Sequence, residues 1–294
     1  MQPAEFEEKE FESSLYHQLA GSSPNLWTPG QVFEGHFGID AAIFVTHPFF
    51  YQAFNIIHPV GSVILNDYSW EYVWKPYEDK HPLPNFSVNA LFQAKRPDFL
   101  QGRNSILATH GIGSSYWRFK ITEYQHRLLN RLYIKLKKRI IISYVSTAFH
   151  TLSDLYIHIS NNTLVSNCSF VSAWRLNDHK QWCYNSPGAT GVARSDPEFI
   201  KDVTFLDQVN QVSEIYSEIV NSNHRPSDFL RELSETTLNI SKEEKENPIA
   251  KMILILRNIL RDNFSRKLSE EQQNFLDFHI FTRMTNTHWL VIGS

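Results

Sequence analysis

Apolar residues recur at helical spacing from the first positions of the chain. In AEFEEKEFESSLYHQLA (4–20), Phe11, Leu15 and Leu19 lie four apart, and Gly21 with Ser22, Ser23 and Pro24 closes the run, so a helix is predicted. A loop containing Pro29-Gly30 follows. GIDAAIFV (38–45) is short and apolar, bounded by Gly38 and by Thr46-His47-Pro48, the pattern of a strand. GSVILNDYSWEYVW (61–74) predicts one or two further strands, HPLPN (81–85) a turn, and FSVNALFQAK (86–95) the next strand. Residues 116–139 mix helical periodicity with charge: Leu128, Leu132 and Leu136 repeat every four, as do Arg127, Arg131 and Lys135 on another side. RIIISYVSTAF (139–149) is a β-branched run and predicts a buried strand. LYIHIS (155–160) and CSFVSAW (168–174) read as further strands, and NSPGATGVARSDPE (185–198) as a long turn-rich loop.

After about residue 200 the pattern changes. LDQVNQVSEIYSEIV, SDFLRELSETTL, NPIAKMILILRNILRDNF and SEEQQNFLDFHIFTRM each carry helical patterning, and Ser269 with Gln272 fits a capping box. The organisation expected is therefore an α/β domain over 1–200 and a helical C-terminal subdomain or lid over 201–294.

Composition narrows the class. With 42% hydrophobic residues in 294 the chain can build a substantial core. A net charge of −3 means that any nucleic-acid surface must be a local basic patch. Cys168 and Cys183 form neither a disulfide framework nor a zinc spacing. The acidic start, MQPAEFEEKEFE, lacks the basic-then-apolar plan of a signal peptide. No apolar run reaches the roughly 18–20 residues that a membrane span needs. The expectation is a cytoplasmic, reduced protein with no membrane association.

The informative chemistry lies in FSVNALFQAK. Side chains alternate along a strand. Val88, Ala90, Phe92 and Ala94 therefore share an apolar face, and Asn89, Leu91, Gln93 and Lys95 share the other. A lysine at a strand end ordinarily snorkels to water. With Gln93 beside it, two polar groups sit where burial is costly unless each finds a partner. Asp40 stands inside the earlier apolar strand, either as a turn cap after Gly38 or, with Gln93, as an oxygen ligand for a hard divalent cation. Lys95 would then polarise a water or offset charge in a phosphoryl transition state.

Asp40 followed by Gln93-Ala94-Lys95 resembles the PD-(D/E)XK nuclease superfamily, the restriction endonuclease-like fold, in the D…QxK variant most like its Mrr-type branch. The resemblance covers roughly residues 4–150, extending at most to about 200. It implies a central mixed β-sheet flanked by helices, and a helix before the motif that supplies a glutamate, here Glu12 with Glu8 one turn back as the alternative. It also implies a helix and a core strand after the motif, matched by ITEYQHRLLNRLYIKL and RIIISYVSTAF, with Gln125 near the site. The implied activity is Mg²⁺- (or Mn²⁺-) dependent hydrolysis of DNA phosphodiesters in prokaryotic restriction or antiviral defence, with Asp40, Gln93 and Glu12 as metal ligands and Lys95 as the catalytic lysine. The chain departs from the commoner pattern in having an amide where an acid usually stands, so the site would lean on Asp40 and Glu12, with Glu34 of QVFEGHFGID either a further ligand or a plain loop acid. Arg96, Arg103, Arg118, Lys120, Gln125, Arg127 and Arg131 are the candidate nucleic-acid contacts, with Lys135, Lys137, Lys138 and Arg139 extending the basic run and Tyr116 and Trp117 as possible stacking residues. The alternatives are a catalytically inactive nuclease-fold module for nucleic-acid binding or assembly, and a protein-interaction component. The C-terminal helices would dock a protein partner, close over DNA or form a homodimer.

Overall fold

The structure is a computed structural model that describes residues 1–21, 26–27, 87–219, 226–264 and 270–293. The segments 38–45, 61–74 and 81–85, the Pro29-Gly30 loop and the Ser269 cap lie outside the described residues.

Its centre is β3 (Ser87–Ala94), in which every side chain from Val88 to Ala94 is buried. On one side β3 pairs in parallel with β6 (Ile140–Thr147), from Asn89 opposite Ile140 to Ala94 opposite Val145. A parallel neighbour requires a crossover, and the connection between the two strands contains α3 (Glu123–Lys135). On its other side β3 pairs antiparallel with β11 (His288–Gly293), at the end of the chain. With β2 (Leu26–Trp27) and β7 (Cys168–Ser172) the order is β2-β11-β3-β6-β7. Strands covered on both faces read as continuous apolar runs, which explains why ALF and RIIISYV carry so little alternation.

The Phe92 face packs against α1 (Glu8–Gly21) and α5 (Phe205–Ile219), with the Phe92 ring 6.5 Å from Tyr16 and 5.3 Å from Phe205. The opposite face, bearing Asn89 and Gln93, meets α3 and α8 (Glu270–Met284). α6 (Pro226–Glu243) and α7 (Pro248–Phe264) pack alongside these two helices. Trp289 donates to the Asn89 side chain at 2.8 Å and sits edge-on to Phe278.

A second, antiparallel sheet has the order β1-β4-β5-β8-β9-β10. Its strands are β1 (Gln2–Pro3), β4 (Asp98–Gln101), β5 (Ser115–Lys120), β8 (Gln181–Tyr184), β9 (Thr190–Arg194) and β10 (Glu198–Lys201). Phe119, Trp182 and Tyr184 face the main core. Tyr116, Cys183 and Val192 face outward against Leu107 of the short helix α2 (Ser105–Thr109).

The chain is thus α/β, with mixed sheets flanked by helices and a helical C-terminal region. Among the described residues no helix is long and apolar enough to cross a membrane. Four local readings are corrected. LYIHIS is not a strand but most of helix α4 (Leu152–Ser160), because Thr151 caps the segment by accepting from the Asp154 N–H at 3.1 Å. Residues 185–198 are not a loop throughout, since β9 runs through them as the middle of a three-stranded meander. Residues 116–120, the beginning of the 116–139 stretch read for helical periodicity, belong to strand β5. The strand β11 was not predicted, and it places the end of the 201–294 segment in the same sheet as β3. Phe229, Leu233, Phe278 and Trp289 from that segment share one hydrophobic cluster with Phe92, Leu129 and Tyr144.

Candidate active site

Because β3 is flanked by strands on both sides, polar groups near its C-terminal end have no easy path to water. Gln93 is 1% exposed and Lys95 only 7%.

Gln93 directs its amide nitrogen at two acceptors, the Gln125 side-chain oxygen at 2.9 Å and the Thr285 main-chain carbonyl at 2.8 Å. The carbonyl of Thr285 can only accept, so the orientation of the Gln93 amide is fixed. Its Oε1 is left buried with no hydrogen-bond partner. A buried acceptor without a donor costs about 1–3 kcal/mol, and such a group calls for a functional explanation.

Lys95 continues the parallel ladder through its N–H to Val145 O at 2.8 Å, and its carbonyl accepts from the Ser146 hydroxyl at 2.6 Å. Its ammonium lies 5.8 Å from the Tyr144 ring centroid. Among the described residues no carboxylate is within ion-pair distance of it. Burial lowers the Lys95 pKa from the ordinary lysine value, opposed by the charge of Glu8.

The α1 acids reach the motif at different points. Glu8 accepts from the Arg96 N–H at 3.2 Å, directly after Lys95. Glu12 is 7% exposed and pairs with Lys9 at 2.8 Å. The Tyr16 hydroxyl lies 3.2 Å from Glu12 and 3.4 Å from the Phe92 carbonyl. Both the expected glutamate and the alternative one turn back therefore stand behind the end of β3. Gln125, expected near the site, is hydrogen-bonded to it. Asp40 and Glu34 lie outside the described residues.

Sequence reasoning missed the support beneath Lys95. The Tyr144 hydroxyl is 2.9 Å from His126 Nδ1, His126 Nε2 is 2.9 Å from the Asn130 amide, and Asn130 meets Asn177 at 3.1 Å. Burial pushes His126 down to about 4, so it is neutral near pH 7. The signal available was His126 and Asn130 at i,i+4 on the leucine side of a helix, where polar residues need partners.

The basic run is rearranged by the fold. Arg127, Arg131 and Lys135 turn toward α6: Arg131 pairs with Glu243 at 2.8 Å and Glu244 at 2.6 Å, Lys135 with Glu243 at 2.6 Å, and Arg127 with Glu244 at 3.8 Å. Arg139 is buried against Glu232. Glu123 also meets Arg127 at 3.0 Å, so the basic run is opposed both by this neighbour in the helix and by carboxylates over 90 residues away in sequence. Lys137 and Lys138 form the turn after α3, with φ of 51° and 66°. Arg118 is tied to Asp98 at 3.0 Å, and Arg96 to Glu7 and the Ala4 carbonyl. Tyr116 is 4% exposed, and Trp117 is packed against Phe99 and Tyr184, so neither is free to stack on a base. Arg103 and Lys120 are exposed.

Among the described residues no three His, Cys, Asp or Glu side chains come together as a metal-holding group. What they offer a hard cation is the orphaned Gln93 oxygen alone, because Glu8 and Glu12 belong to α1 on the opposite, Phe92 face of β3, where Glu12 is paired with Lys9 and Glu8 accepts from the Arg96 N–H. Comparison of the chain with protein-family models, with curated proteins and with solved structures gives no match.

Proposed function

We propose that the chain is a metal-dependent endonuclease of the PD-(D/E)XK kind that hydrolyses DNA phosphodiester bonds, within prokaryotic restriction or antiviral defence. One observation carries this reading. Gln93 Oε1 is buried with no hydrogen-bond partner, and Lys95, two residues further on the same face and 7% exposed, has no carboxylate within ion-pair distance among the described residues. A fold tolerates such a pair at a functional site more readily than in a core.

On this reading Mg²⁺ or Mn²⁺ would be held by the Gln93 oxygen and Asp40, with a glutamate of α1 (Glu12 or Glu8) reaching the ion only around the end of β3, since α1 packs on the opposite face. When bound, the ion would neutralise phosphate charge and lower the pKa of a coordinated water. Lys95 would orient the attacking water and face the charge that develops on the phosphorus-bound oxygens. The lowered pKa of Lys95 eases its exchange of a proton with that water. The Tyr144 ring limits where the ammonium can sit, and β6 fixes the Lys95 main chain. Arg103 and Lys120, exposed near the second sheet, would meet phosphates.

A second reading, an inactive nuclease-fold module, is favoured by the Lys9–Glu12 ion pair, which already neutralises one expected ligand. Cleavage of plasmid and linear DNA with Mg²⁺ or Mn²⁺, wild type beside Asp40→Ala and Lys95→Ala, separates the two. Metal-dependent cleavage lost in both variants supports the nuclease. Salt-sensitive DNA binding without cleavage, unchanged in both, supports the module.

A further inference from the structure

The amide at position 93 has a reason that its reading as a weakened carboxylate ligand does not supply. Its nitrogen lies between two oxygens, Gln125 Oε1 at 2.9 Å and Thr285 O at 2.8 Å. A glutamate there would set a carboxylate oxygen against the Thr285 carbonyl, acceptor against acceptor. Gln125 could turn its own amide to donate; the main-chain carbonyl could not. Position 93 therefore demands a donor.

The Thr285 carbonyl is itself held firmly. Its residue lies in the turn between α8 and β11, where Thr285 N bonds Phe281 O at 2.9 Å and Thr287 N bonds Thr282 O at 2.8 Å. The Thr285 hydroxyl reaches Phe281 O at 2.8 Å and Thr287 Oγ1 at 3.1 Å. Thr282, Thr285 and Thr287 are all buried. β11 then pairs with β3, His288 opposite Phe92.

We infer that Gln93 is a clamp whose amide nitrogen locks the α8–β11 turn and α3 onto the end of β3, and that Gln125 and the Thr285 turn are positioning elements for the site. The C-terminal segment, outside the part of the chain that carries the sequence resemblance, thereby completes the site by fixing which way the Gln93 oxygen points. The clamp rests on the proposed site for its purpose and not for its geometry.

The test is hydrogen–deuterium exchange at residues 285–293 together with Mn²⁺ titration calorimetry, on the full chain. Gln93→Glu is expected to speed exchange at 285–293 tenfold or more, with 140–147 still protected, and to bind Mn²⁺ no more tightly than wild type. Should that variant unfold altogether, Gln125→Leu is expected to loosen 285–293 in the same way, with Gln125→Glu, which keeps the acceptor, restoring wild-type exchange. Wild-type exchange at 285–293 in both Gln93→Glu and Gln125→Leu overturns the proposal, as does Mn²⁺ bound tenfold more tightly by Gln93→Glu, since that would mark a carboxylate position. If the wild type neither binds Mn²⁺ nor cuts DNA while the variants still loosen 285–293, the clamp stands and the nuclease reading falls.

Discussion

The side chain of Gln93 donates to the main-chain carbonyl of Thr285, 192 residues further along the chain, at 2.8 Å. The contact joins the motif strand to a turn that the N-terminal resemblance does not cover. It also leaves the Gln93 oxygen as the unpartnered atom beside Lys95. The geometry around this pair leads to further measurable consequences.

Lys95 is a buried cation with no carboxylate in ion-pair range among the described residues. Removing the charge while keeping the volume relieves a desolvation cost of about 1–3 kcal/mol. Lys95→Met is therefore expected to raise stability by about that amount in denaturant unfolding while abolishing metal-dependent cleavage. A variant that is less stable than wild type would mean that the ammonium has a structural partner.

His126 titrates lower in the folded chain, at about 4, than its ordinary 6.5, chiefly through burial. Between these values the unfolded chain binds more protons, so stability rises with pH across that window and is lost as pH falls from 6.5 toward 4. The loss amounts to about 2–3 kcal/mol. His126→Leu should flatten this part of a stability-against-pH curve; an unchanged slope would exclude His126 as the source.

Arg127 and Arg131 face Glu243, the last residue of α6, and Glu244 directly after it. Exposed pairs of this kind contribute roughly 0.2–1 kcal/mol each. Arg131→Ala should cost about that much stability, less at high salt, and leave the salt dependence of DNA binding unaltered. A drop of about one in the slope of log affinity against log salt would restore Arg131 as a phosphate contact.

Gly191 sits in β9 directly beneath Trp182. A Cβ there would lie 2.5 Å from both the Cys183 carbonyl and the Trp182 ring. Trp182 is fully buried and its indole N–H is held by Ser169 at 3.1 Å, so it cannot yield. Gly191→Ala is expected to cost about 3 kcal/mol by overpacking, seen as a lower urea midpoint with an unchanged slope.

Local periodicity in the chain marks which stretches bury a face. The four-residue spacing of Phe11, Leu15 and Leu19 marked α1, that of Leu128 and Leu132 marked α3, and the β-branched run after Arg139 marked β6. It also placed Gln93 and Lys95 on one side of β3. These properties are local, because a repeat of 3.6 or 2 is set by neighbours in the chain. Where local signals competed they misled: an apolar LYIHIS looked like a strand until the Thr151 cap made it a helix. What the buried faces meet is set by long-range packing. It set Thr285 and Gln125 on the Gln93 nitrogen, Tyr144 beneath Lys95, and Glu232, Glu243 and Glu244 against the cations of the α3 region. Such partners come from segments roughly 30 to 190 residues away, brought together by packing that no local periodicity encodes, and the satisfaction of each buried polar group depends on them.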